Sequence, residues 1–223
     1  MARRRLYLLR HAEVAYFGSD GAPVAPESVA LTPRGREQAA AAARALADVA
    51  LDRVIASDLP RTLETARIVA PGHEPEPWPE LAEWRGGRLR DLPDSEAERH
   101  FVGALRVDAE SARFLGGESL GELLDRVLPA LERLLAGDWD AALAVLHGGV
   151  NRAILSHALA GGRAYFGAFE QAPACINVLD HGTDGFVVRT VNWIPYDPLH
   201  PARSTTMEQL WEQYLPYRGL RTR

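Results

Sequence analysis

The chain has 223 residues, 47% of them hydrophobic and 25% charged, with a formal net charge of −5. That length and apolar content suit one α/β domain with a modest insertion, and the acidic balance excludes a general nucleic-acid binder, which needs a basic face. All 25 basic residues are arginine and the only cysteine is Cys175, a composition that excludes lysine chemistry, an internal disulfide framework and a multi-cysteine metal site.

The amino-terminal apolar stretch is too short for a signal sequence, and no stretch approaches the length that spans a membrane. A cytoplasmic protein without membrane association is therefore expected. Leu6 to Leu9 reads as a buried first strand whose carboxyl end presents Arg10 and His11. After a Gly/Pro/Ser-rich loop from Gly18 to Ser28, Thr32-Pro33 starts a helix, with Thr as cap and Pro at the first helical position, that runs to Ala47. Arg53 to Ala56 is a second strand. Ser57 or Asp58 is expected to cap the next helix, with Pro60 and Arg61 in its first turn. Pro71 to Pro79 breaks regular structure. Residues 80–118 read as an insertion, helical from about Ser95 to Arg106. Ser119 and Glu122 form a capping box for a helix to Leu135. Ala141 to Leu146 is an apolar strand ending in His147-Gly148-Gly149, followed by a helix to Leu159. Residues 174–180 and 185–193 are a closing pair of strands, and Cys175 is read there as core.

Strand and helix alternate, which predicts an α/β fold: a doubly wound, mostly parallel sheet with helices on both faces and a small helical insertion. The organisation expected is one domain over 1–202, with the insertion at about 80–118, and a helical tail over 203–223. In such sheets ligands bind beyond the carboxyl ends of the strands. His11 and His147 fall at two such ends, so four reactive side chains converge there: His11, Arg61, Glu83 and His147.

Each has a chemical and a plain reading. An imidazole nitrogen can attack phosphorus, and Arg10 beside it offers charged hydrogen bonds to phosphoryl oxygens; taken alone, the pair reads as a polar strand end. Arg61 joins a guanidinium to the free N–H groups of a helix start, which suits an anion; the plain reading pairs it with Glu64 or Asp58. His147 can offset charge on a phosphoryl group, or be a satisfied buried histidine. Glu83 can protonate a leaving oxygen and then activate water, or be an ordinary loop glutamate.

Five ordered blocks over roughly residues 6–160 resemble one known family. Leu8-Leu9-Arg10-His11-Ala12-Glu13 is similar to the Arg-His-Gly-Glu signature of the histidine phosphatases, which include the phosphoglycerate mutases, with Ala12 in place of glycine. Leu31 to Ala39, Ser57 to Ala66, Leu81-Ala82-Glu83 and Val145 to Arg152 resemble the blocks that follow. The resemblance implies His11 as nucleophile, Arg10, Arg61 and His147 around the phosphoryl group, Glu83 as proton donor and the Gly148 N–H as a further oxyanion contact. It implies no metal and no organic cofactor, and a small phosphorylated metabolite as partner.

The chain also departs from that pattern. Phe17 stands where many members carry a phosphate-contacting asparagine, and Arg90-Asp91 replaces a Glu-Gly pair. Hydrolysis is therefore the leading expectation; a phosphoglycerate-type mutase and a non-enzymatic phospho-ligand binding module are the alternatives. Arg85, Arg88 and Arg90 offer a second anion site or a solvated loop, and Trp78 and Trp84 offer a stacking platform or a core. Gly117 to Gly121 fits a G-x-S-x-G pattern, but the capping box makes Ser119 a helix cap. In the tail, Met207, Leu210, Trp211, Tyr214 and Leu215 lie at helical spacing behind Thr205 or Thr206. Packing on its own domain is expected, for stability and not chemistry; a homodimer contact and a lid over the crevice are the other readings.

Overall fold

Short apolar runs buried on both faces become parallel strands here, because helices cover each side of the sheet. In this computed structural model, residues 3–18, 22, 24–88, 91–107 and 109–216 are described. The sheet contains β1 (Arg4–Arg10), β2 (Arg53–Ala56), β3 (Glu76–Pro77), β4 (Ala141–Leu146), β5 (Ile176–Gly182) and β6 (Gly185–Trp193). Their order is β3-β2-β4-β1-β5-β6. The first four are parallel, with Leu8 opposite Ala144 and Ala144 opposite Ile55, while β5 and β6 extend the sheet antiparallel to β1. The sheet is thus mixed, with a parallel half that holds the crevice.

Side-chain alternation along the strands divides the core. Leu6, Leu8, Ile55, Ala142, Ala144 and Leu146 pack under α4 (Leu120–Leu135) and α5 (Gly148–Ala160). Leu9, Val54, Ala56, Leu143 and Val145 pack on the other face under α1 (Pro33–Ala45) and α2 (Pro60–Val69). The buried stripe of α4, from Leu120 through Leu134, stabilises this arrangement by roughly 1.5–3 kcal/mol for each fully buried leucine. Trp78 and Trp84 belong to the α4/α5 core, so they are packing residues and no stacking platform.

Local details differ from the sequence reading. The cap of α2 is Leu59, without a side-chain bond, and neither Ser57 nor Asp58 fills that role; the Ser57 hydroxyl is held by Thr62 and His147 instead. The Pro71–Pro79 stretch contains β3, which pairs Glu76 and Pro77 with Ile55 and Ala56 at the sheet edge. Within residues 80–118, α3 spans Asp94–Val102 and stops at Gly103, short of Arg106. Helix α1 ends at Ala45. Cys175 is buried and free, just ahead of β5.

A third cluster lies apart from the sheet. There α6 (Thr206–Tyr214), capped by Thr205 in a capping box with Glu208, packs on α3. Trp211, Tyr214 and Leu215 meet Ala97, Phe101, Val102 and Phe17. Phe17 lies against Tyr214, with ring centroids 6.1 Å apart, so the departure at this position is an apolar contact with the tail helix. No described helix is long and apolar enough to cross a membrane.

Candidate active site

His11, Ser57 and His147 each follow the last residue of a parallel strand, so the sheet itself sets them side by side at its carboxyl edge. The backbone bond from His11 N–H to the Leu146 carbonyl continues the β1–β4 ladder up to the nucleophile candidate. The His11 and His147 rings stand 5.3 Å apart at 62°. Behind them Thr65, one turn beyond Arg61, accepts the Ala12 N–H at 3.1 Å and donates to the Arg61 carbonyl at 2.7 Å. Gly35 lets α1 approach the same loop: a Cβ there would lie 2.1 Å from the Glu13 carbonyl oxygen.

The hydrogen bonds fix which ring nitrogens carry protons. His11 Nδ1 lies 2.8 Å from the Ala12 carbonyl oxygen, which only accepts, so Nδ1 bears the hydrogen and Nε2 keeps its lone pair. His147 Nδ1 faces the Arg61 guanidinium at 3.4 Å and therefore accepts, leaving Nε2–H to donate to Ser57 Oγ at 2.7 Å. Ser57 passes its hydroxyl hydrogen to Thr62 Oγ1, which in turn donates to the Leu59 carbonyl. Ser57 and Thr65 are thus supports that the sequence reading did not pick out.

Arg10 and Arg61 are 8% and 2% exposed, and among the described residues neither has a carboxylate partner. Arg10 Nη1 donates to the Gln171 carbonyl and to Thr206 Oγ1, while Arg61 Nη1 donates to the Pro26 carbonyl; Arg61 pairs with neither Glu64 nor Asp58. The Nε atoms of both are buried and unpartnered. Two buried guanidiniums in that condition are poised for an anion from outside the chain. Burial, then the charges of Arg61 and Arg10, hold the His11 imidazole well below its usual pKa; burial, Arg61, His11 and Arg10 do the same to His147.

Those two depressions predict a pH dependence of stability. Near pH 7 both native imidazoles are neutral. Below about 6.5 the unfolded chain binds protons that the native state does not, so stability is lost as pH falls from there toward the native pKa. Each histidine contributes a slope of about 1.4 kcal/mol per pH unit in that window. Urea unfolding at pH 7.5 and 5.5 is expected to fall less steeply for His147→Asn than for the wild type; equal slopes would contradict the assignment.

Glu83 enters from the segment after β3. Its Oε1 accepts the N–H of Trp84 at 2.9 Å and of Gly149 at 3.0 Å. A Cβ on Gly149 would sit 2.7 Å from Glu83 Oε1, so Gly149→Ala is expected to keep the fold, shift this carboxylate and lower kcat/KM on alkyl phosphates by about 10²-fold. Unchanged turnover in a folded variant would remove Glu83 from the chemistry. The Gly148 N–H, first in α5, has no acceptor among the described residues and stays available to an oxyanion. Arg85 and Arg88 are exposed, and Arg90 lies outside the described residues. Among the described residues no three His, Cys, Asp or Glu side chains are grouped to hold a metal ion.

The structure adds a contribution from the tail. Thr206 accepts from Arg10 at 3.2 Å and donates its hydroxyl to Glu170 Oε1 at 2.7 Å. The tail helix therefore reaches a phosphate-binding candidate, beyond the packing on its own domain that the sequence led one to expect first. Gln171, Glu170 and Thr206 lack any local signal, because their partners lie more than 150 residues away in sequence or on another element.

The alpha-ribazole phosphatase of Salmonella typhi is 32% identical over 188 residues, 79% of this chain and 90% of that protein. A protein of Erwinia tasmaniensis described as a "probable phosphoglycerate mutase" is 34% identical over 137 residues, 59% of this chain, and the match spans 63% of its length. The mycobacterial glucosyl-3-phosphoglycerate phosphatase in complex with VO3 superposes with a TM-score of 0.69 at 27% identity, covering 85% of this chain and 98% of that one. The sequence profile of the histidine phosphatase superfamily, branch 1, matches residues 6–194, and the chain belongs to that superfamily, among relatives named as phosphatases and as mutases.

Proposed function

We propose that the protein hydrolyses a small phosphomonoester through a phosphohistidine on His11. The observation that carries this reading is the pair of buried guanidiniums, Arg10 and Arg61, unpaired with any described carboxylate and flanking an imidazole whose Nε2 is unprotonated. His11 Nε2 attacks phosphorus as the bond to the leaving oxygen breaks, and Glu83 delivers a proton to that oxygen. Water then attacks the phosphohistidine, Glu83 takes a proton from it, the P–N bond breaks and inorganic phosphate leaves. Arg10, Arg61 and the Gly148 N–H hold the equatorial oxygens. A phosphoryl dianion beside His147 opposes the depression produced by the two arginines, so that Nδ1 takes up a proton and becomes a further donor.

The relatives support the reaction class. A superposable phosphatase is named in complex with VO3, a phosphate mimic, and other relatives are named for phosphatase activity. A mutase-named relative keeps transfer back to product as the competing outcome. The test is product analysis on a panel of phosphomonoesters in the presence of a chelator. Free phosphate released in proportion to substrate lost is expected. Positional exchange without release would make the protein a mutase, and binding of vanadate without either reaction would make it a binding module.

A further inference from the structure

Glu83 lies in a stretch without regular structure, so its place depends on donors and acceptors from other elements. A single helical turn, Pro79–Leu81, precedes it and ends at Ala82. The last carbonyls of so short a turn have no helical N–H to accept and need donors from elsewhere. Arg126, on α4, supplies them. Its Nη1 donates to the Glu80 and Ala82 carbonyls, each at 2.7 Å, and its Nη2 to the Glu83 carbonyl at 3.0 Å. The Nε and the same Nη2 donate to the Glu118 carboxylate at 2.6 and 2.9 Å. All five N–H donors of this guanidinium therefore meet an acceptor.

That saturation separates Arg126 from the arginines of the phosphoryl site. Arg10 and Arg61 keep a buried Nε without a partner, whereas Arg126 spends every donor on the chain itself. Its side chain is 14% exposed and that of Glu118 is 9% exposed, so water screens the pair little. Burial works against the charge on Glu118, and the bonds from Arg126 and from the Arg85 N–H outweigh it, leaving the pKa below its usual value.

Glu118 is the central residue of the Gly117-Glu118-Ser119 run that imitates a nucleophile elbow. The run instead docks the segment after Glu83. The Glu118 N–H donates to the Arg85 carbonyl at 2.8 Å, its carbonyl accepts the Trp84 indole N–H at 2.9 Å, and its Oε2 accepts the Arg85 N–H at 2.9 Å. Glycine at 117 permits the approach, since a Cβ there would lie 2.4 Å from the Arg85 carbonyl oxygen. Arg126 thus holds the backbone up to Glu83, Glu118 holds the backbone beyond it, and the ion pair joins the two halves. Between them the carboxylate of Glu83 meets the Trp84 and Gly149 N–H groups.

We propose that Arg126 is a positioning residue for the reaction, joined to Glu118 in a clamp that keeps the Glu83 carboxylate where the leaving oxygen receives its proton. This rests on the hydrolase reading above and on the part given there to Glu83. Neither member of the clamp touches substrate, so its whole effect passes through Glu83.

The probes are glycerol 3-phosphate, whose leaving oxygen needs a proton, and p-nitrophenyl phosphate, whose leaving oxygen does not. Arg126→Met keeps an apolar stem and removes every donor. It is expected to lower kcat/KM on glycerol 3-phosphate by about 30-fold and on p-nitrophenyl phosphate by about threefold or less, with Arg126→Lys between it and the wild type. General damage to the fold would lower both esters alike. In Glu83→Gln protein, adding Arg126→Met is expected to change the ratio of the two esters by less than about twofold, because the group it acts through is already gone. Glu118→Gln keeps an oxygen for the Arg85 N–H but loses the ion pair; a selective loss of about fivefold is expected, and it answers the case in which the Arg126 variants do not fold. Equal losses on the two esters in folded Arg126→Met, or a selective loss that persists undiminished in Glu83→Gln, would overturn the clamp and leave the hydrolase standing. A wild type that cleaves only p-nitrophenyl phosphate would overturn it as well, since a placed proton is what the other ester requires. A wild type that cleaves neither ester would remove the hydrolase reading and the clamp with it.

Discussion

His11→Ala is expected to lower phosphate release by at least about 10⁴-fold, because removing a nucleophile leaves only binding and electrostatic stabilisation. The loss should appear in kcat, with the variant still binding vanadate: the oxyanion contacts proposed for Arg10, Arg61 and the Gly148 N–H do not depend on the imidazole. His11 Nδ1 is tied to its neighbour's carbonyl, so only Nε2 is presented, and acid-labile phosphate should appear on that nitrogen during turnover of the wild type. Rapid quenching with labelled substrate, followed by peptide mapping, reads it directly. Label on another residue, or equal release by both proteins, would show that His11 is not the nucleophile.

Glu83→Gln is expected to discriminate between leaving groups. The amide can still accept the N–H groups of Trp84 and Gly149 through its oxygen, so the loop should keep its place. What disappears is the proton. For alkyl phosphates, whose leaving oxygen is strongly basic, kcat/KM should fall by about 10²–10⁴-fold; for p-nitrophenyl phosphate, whose leaving oxygen needs no proton, the fall should be about tenfold or less. The ratio is informative because kcat/KM reports the phosphorylation step and not the later hydrolysis of the intermediate. A uniform loss across leaving groups would instead make Glu83 a structural acceptor for the α5 amino end.

The parallel half of the sheet was legible because buried strands are short apolar runs that stop abruptly at polar residues, as at Arg10-His11 and at His147. Helix starts with a side-chain cap were equally legible, at Thr32, Ser119 and Thr205. The expected cap of α2 failed for a tertiary reason: His147, 90 residues away, takes the Ser57 hydroxyl. Strand β3 was invisible because two exposed residues, one of them a proline, carry no periodic signal. Glycine at position 103 ended α3 where an otherwise helical composition ran on to Arg106. Within the site, the residues that meet at the sheet edge were readable from type and position. Thr206 was not, because its meaning lies in partners, Arg10 and Glu170, that only folding brings to it.

The hydroxyl of Thr206 beneath Arg10 also bears on the timing of assembly. The two residues are separated by 196 positions, so this contact closes nearly the longest loop the chain can form, and such contacts are made late. During synthesis the strand carrying Arg10 emerges from the ribosome first and the helix carrying Thr206 emerges last among the described elements. A nascent chain can therefore build its sheet while Arg10 still lacks its Thr206 partner, and the wall of the proposed phosphate site is completed only when translation has delivered α6.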